Sequence, residues 1–91
     1  KTLNSITKQL QLPYSDNLLI KFIFHCSFTL ERCIKNEPLS FPKMKAFINR
    51  NHYIYNIIER NFHEVQEVFD CTIPSSEFSF ITEIFLPLFK E

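Results

Sequence analysis

The sequence predicts an all-α fold, a compact five-helix bundle. Apolar residues recur at steps of three and four in five separate segments, and each segment is bounded by a proline or a capping residue. The chain contains no glycine and no glycine-bounded alternating run, so a sheet has little support.

Leu3, Ile6 and Leu10 lie on one stripe and predict a short first helix over residues 3–11, which Pro13 separates from the next. Ser15 offers an N-cap oxygen and Asp16 a first-turn negative charge to a helix over 16–35. Its stripe is Leu19, Phe22, Ile23, Cys26, Leu30, Cys33 and Ile34, and Arg32 and Lys35 suit its C-terminal dipole. Pro38 cannot continue that helix, and Pro42 is placed to begin a third over 42–50. Ile54, Tyr55, Ile57, Ile58, Phe62, Val65, Val68 and Phe69 predict one long fourth helix over 52–70. After Pro74, Ser75 or Ser76 caps a fifth over 75–89, with Phe78, Ile81, Ile84, Phe85 and Leu88 spaced by three and four.

Residues 1–91 make one small domain with a modest core, and no second domain fits in that length. Ten basic and ten acidic side chains cancel, so no broad field draws the chain onto a polyanion, and direct nucleic-acid contact is not expected. No apolar run approaches the roughly 20 residues of a membrane span, and the N-terminal residues lack a secretion signal's apolar stretch. Three cysteines are an odd number, and Cys26 and Cys33 on one helix are roughly 10 Å apart, too far for a disulfide. Reduced thiols and a cytoplasmic setting fit this pattern. Eleven phenylalanines exceed what one small core readily hides, which predicts a buried subunit face and a homodimer.

The absence of glycine excludes glycine-rich phosphate loops and dinucleotide fingerprints. There is no hydrolase signature, no C-x-x-C and no H-E-x-x-H, and adjacent His25 and Cys26 diverge by about 100° on a helix. No enzyme, metal site or cofactor is expected. His52 and His63 read as solvated or capping side chains, and Cys71 as unremarkable chain after a helix end. His25 differs, because it sits mid-helix at one edge of the apolar stripe, with Phe28 and Thr29 one turn on and Arg32 two turns on. It reads either as a core-edge histidine with one hydrogen bond or as a phosphoryl acceptor whose charge Arg32 meets, directly or across a dimer.

The run LLIKFIFHCSFTLERCIKNEPLSFP resembles a helix of the phosphotransferase-system regulation domain, or PRD, with His25, Arg32, Glu37 and Pro38 at matching places. RNFHEVQEVFDCTIPSSEFSFITEIF resembles that family's closing segment, where Glu77 opens the last helix, so the match covers nearly the whole chain. Many such domains carry a second histidine in the last helix, where this chain has Ile84. The TEIF variant looks more like the C-terminal domain of levanase-operon-type activators, which work with the enhancer-dependent sigma factor, than like RNA-binding antiterminators. The resemblance implies a five-helix bundle in a longer regulator. It also implies phosphorylation by sugar phosphotransferase carriers, either the general histidine protein or an enzyme IIB component, with His25 as phosphoacceptor and Arg32 as charge partner. The alternative is a passive dimerisation or protein-interaction domain in which His25 is structural.

Overall fold

Ser15 opens the longest helix of the molecule. Its backbone is extended (φ −144°, ψ 157°), and its Oγ accepts the Leu18 N–H at 3.1 Å, satisfying one of the otherwise free first-turn donors. In the computed structural model, which describes residues 2–89, the elements are α1 (Thr2–Leu10), α2 (Asp16–Lys35), α3 (Met44–Arg50), α4 (His52–Asn61), α5 (His63–Phe69) and α6 (Ser75–Phe85). A 3₁₀ turn over Leu86–Phe89 follows α6, and no strand occurs among the described residues.

Without glycine, the chain ends helices by other means. Gln11, Asn36 and Asp70 occupy the left-handed region at φ 58°, 58° and 51°. In each case two N–H groups fold back on the last turn: Leu12 to Thr7 and Gln11 to Lys8, Glu37 to Arg32 and Asn36 to Cys33, Cys71 to Gln66 and Asp70 to Glu67. This is the paired Schellman closure that glycine ordinarily serves. Asn and Asp tolerate the conformation through their short polar side chains, whereas Gln11 has no such relief. Gln11→Gly is therefore expected to stabilise the fold by roughly 0.5–1 kcal/mol, net of the greater unfolded-state freedom of glycine. A higher urea midpoint at unchanged slope would register it.

The one helix expected over 52–70 is two. Phe62 leaves helical geometry at φ −98°, ψ 3°, and the Asn61 side-chain amide donates to the Ile57 carbonyl at 2.7 Å, competing for an acceptor of the backbone ladder. Phe62 at the break stays in the core, while no residue of α5 is fully buried and only Val65 packs partly against the core. Val68 and Phe69, expected as core, are consequently exposed. The last helix likewise stops at Phe85 instead of continuing to 89, and it is preceded by Pro74 with no side-chain cap from Ser75 or Ser76. The third helix begins at Met44, two residues later than Pro42 suggests.

The core sits where α4 and α6 meet α1, α2 and α3. Its centre is aromatic: Phe22 of α2 packs on Phe62 and Phe85 with ring centroids 5.9 and 6.0 Å away, and Phe78 packs on Phe62 at 5.7 Å and on Tyr55 at 6.2 Å. Leu3, Ile6 and Leu10 of α1 close one side, as their spacing predicts. Each such side chain contributes roughly 1.5–3 kcal/mol by leaving water. Phe41 forms a second cluster with Phe47 at 4.6 Å and Phe80 at 4.8 Å, pinning the Pro38–Pro42 link to α3 and α6. This packing fixes α2 lengthwise against α6 and presents the outer face of α2 to solvent.

Candidate functional site

Phe22 and Thr29 are buried on the inner face of α2 and hold its rotation. At 100° per residue this rotation brings His25 to the edge of that face and Phe24 and Phe28 beyond it. His25 is exposed, at the mouth of a cleft of about 220 Å³ lined by Lys21 and His25 of α2, Phe80, Glu83 and Ile84 of α6, and Pro87. Glu83 and Ile84 follow Phe80 by three and four residues, which brings both to its side of α6. Ile84, where the family's second histidine was expected, thus forms part of the wall opposite His25.

On the outer surface of α2 lie Ile20, Ile23, Phe24 and Phe28, each more than half exposed, at 53%, 52%, 60% and 54%, with Phe24 and Phe28 nearest the cleft. Ile34 is exposed as well. Ile23 and Ile34 were expected in the core. They lie on the far flank of a stripe wider than the surface that α6 and α4 cover.

Arg32 is placed differently from His25. Its Nε donates to Glu77 Oε2 at 2.8 Å and its NH2 group to Oε1 at 2.7 Å, a bidentate pair between α2 and the first turn of α6. Glu77 is fully buried, and its remaining acceptor capacity is taken by the Leu39 N–H at 3.0 Å and the Thr29 hydroxyl at 3.4 Å. Burial pushes the Glu77 carboxyl up, but hydrogen bonds from Arg32, Leu39 and Thr29 and the guanidinium charge outweigh it and hold the group below its ordinary range. The same hydrogen bonding raises Arg32 further. His25 and Arg32 lie two turns apart on the same edge of α2, roughly 10 Å along its axis, and Arg32 is turned inward to Glu77.

Sequence reasoning missed Glu77 as the partner of Arg32, treating it as a first-turn charge. A signal was present: Glu77, Ile81 and Phe85 repeat at four, which places the carboxylate in the buried row of α6. Pro38 has a place beside the same group, since the residue after it, Leu39, donates its amide to Glu77.

Two of the three thiols are shifted away from the thiolate form. Burial pushes the Cys26 thiol up to about 12. Cys33 is pushed up to about 11 by burial and by neighbouring Cys71, and its thiol donates to the Thr72 carbonyl at 3.1 Å. His52 and His63 are exposed and away from the α2–α6 cleft. Among the described residues no three His, Cys, Asp or Glu side chains converge as a metal set, and no helix is long and apolar enough to cross a membrane.

The transcriptional regulatory protein LevR of Bacillus subtilis (strain 168) is 28% identical to the chain over 83 residues, which are 91% of the chain and 9% of LevR. The chain thus spans less than a tenth of that relative's length. No solved structure matches it. The PRD domain family model matches residues 1–88, essentially the whole bundle, including the α2–α6 cleft and the Arg32–Glu77 pair; the chain belongs to the PRD domain family.

Proposed function

We propose that this domain is the regulatory part of a bacterial transcriptional regulator and accepts a phosphoryl group on His25 from sugar phosphotransferase carriers, either the general histidine protein or an enzyme IIB component, in the cytoplasm. One observation carries the reading: the exposed imidazole of His25 opens into a cleft beside an exposed apolar face of α2, in a chain of the PRD family. A carrier reaches such a ring without unfolding anything. The role is regulatory, not enzymatic, and the reporting surface is the adjacent face of Ile20, Ile23, Phe24 and Phe28, which pairs with a second copy of the chain. A phosphoryl group brings a charge near −2 to the edge of that face, as on hydroxyl side chains, and shifts the contact. Arg32, the expected charge partner, acts on that group only at a distance, since its guanidinium, two turns along α2, is held by the buried carboxylate of Glu77.

Phosphohistidine is acid-labile and base-stable, so alkaline mass spectrometry after incubation with phosphorylated carrier protein reads the site directly. His25→Ala is expected to abolish uptake, while His52→Ala and His63→Ala label like the parent. Uptake by the His25→Ala protein at the parental rate would place the acceptor elsewhere.

A second reading is a passive dimerisation domain without phosphoacceptor function. Two observations favour it: Arg32 is already committed to Glu77, and Ile84 stands where a second histidine was expected. In that case the parent protein takes no label and still self-associates.

A further inference from the structure

The cleft at His25 sets one cation and one carboxylate around the ring. Lys21 precedes His25 by four residues on α2, so the two side chains are neighbours on the helix surface. Glu83 stands on the α6 wall with Phe80, Ile84 and Pro87. Lys21 and Glu83 are both exposed, and neither forms an ion pair with another described residue, the pairs there being Arg32–Glu77 and Lys35–Glu31. Arg32, by contrast, has its guanidinium fork filled by Glu77.

Resting on the phosphoacceptor reading of His25, we propose that Lys21 is the residue that holds the phosphoryl group on His25 and that Glu83 opposes it, the two together setting how much phosphate the site retains. In the transfer, a ring nitrogen of neutral His25 uses its lone pair to form the new N–P bond. The N–P bond of the donor's phosphohistidine breaks, and its electron pair returns to the donor ring. His25 gives up the proton on its other ring nitrogen and the donor ring takes one up, so protons balance and nothing is oxidised or reduced. The group that arrives carries a charge near −2. In the unmodified cleft the charges of Lys21 and Glu83 cancel. After transfer, the ammonium attracts the new dianion and the carboxylate repels it. Because the cleft is open to water, each interaction is modest and sensitive to salt.

The test uses the intact domain with phosphorylated general histidine protein as donor. It reads the equilibrium ratio of phosphorylated to free His25, and the rate of phosphate loss once donor is removed, at low and high salt. Lys21→Gln is expected to lower the ratio about two- to five-fold at low salt, Lys21→Arg to restore it, and Glu83→Gln to raise it by a similar factor. Both differences from the parent should shrink at high salt, which a merely structural effect of these exposed side chains would not do. If His25 labels normally but Lys21→Gln and Glu83→Gln match the parent at low salt, or Lys21→Arg fails to restore the ratio, the role given to Lys21 and Glu83 is wrong and the phosphoacceptor reading stands. If parental His25 takes no label at all, both fall together.

Discussion

Arg32→Ala is expected to cost about 3–5 kcal/mol, a large part of the stability of a domain this size, because it strands a buried carboxylate without its counter-charge. Glu77 has no exposed surface, and Arg32 supplies both of its charged hydrogen bonds. The cost is asymmetric. The Arg32 side chain retains 26% of its exposure, so in Glu77→Gln the guanidinium still reaches water and the amide still accepts from Leu39. Glu77→Gln is therefore expected to be the milder change, and chemical denaturation of the two variants measures the difference.

The pH dependence carries the more diagnostic signature. In the parent, Glu77 is held below its ordinary value of 4.5, so the unfolded chain binds its proton first as pH falls. Its stabilising contribution is present above 4.5 and is lost as pH falls through the lower folded-state value. In Arg32→Ala, desolvation is left with less to oppose it and raises the folded-state value above the unfolded one. That variant should recover stability, relative to the parent, as acid protonates the buried carboxyl. Parallel stability–pH curves for the two proteins would show that the ion pair does not govern this region of the fold.

The parts of the molecule legible in the sequence are those decided locally. Ser15 and Asp16 announce the start of α2, and the three-and-four spacing of Leu3, Ile6 and Leu10 gives α1 its buried face. The break at Phe62 was not legible, because neither proline nor glycine marks it. It depends on an asparagine side chain competing for a carbonyl while tertiary packing retains Phe62. The ends near Gln11 and Asp70 were placed to within a residue by the apolar spacing, but their left-handed closure was not legible, since the residue that makes it is not glycine. At the site, the spacing of His25 and Arg32 put both on one edge of α2. The pairing of Arg32 with a residue 45 positions away comes only from the packing of α2 on α6. Apolar periodicity also overstated the core. On α2 it put Ile23 and Ile34 in the stripe, yet both are exposed, and with Ile20, Phe24 and Phe28 they belong to a surface the rest of the domain leaves uncovered.

That uncovered face leads to the other large expected effect: Phe24→Glu combined with Phe28→Glu should convert a dimer to a monomer. Ile20, Phe24 and Phe28 follow one another at four-residue steps, and Ile23 flanks them, so they form one continuous apolar strip along α2. In a paired face, buried aromatic anchors cost about 1–2 kcal/mol or more each when truncated, and placing carboxylates there adds the cost of burying charge. Both changes occur in each of the two copies, so the four are worth about 4–8 kcal/mol, which weakens association by roughly a thousand-fold or more. The folded monomer should be barely affected, because both side chains are already more than half exposed. Sedimentation across a micromolar concentration series, with circular dichroism on the same samples, separates the two effects. A parent that sediments as a monomer throughout, or a doubly substituted protein that still dimerises at the parental concentration, would mean that this face is not where copies meet. With dimerisation lost and the helical signal intact, the strip next to His25 is the contact, and a phosphoryl group on that histidine then lies at its edge, where added charge bears directly on association.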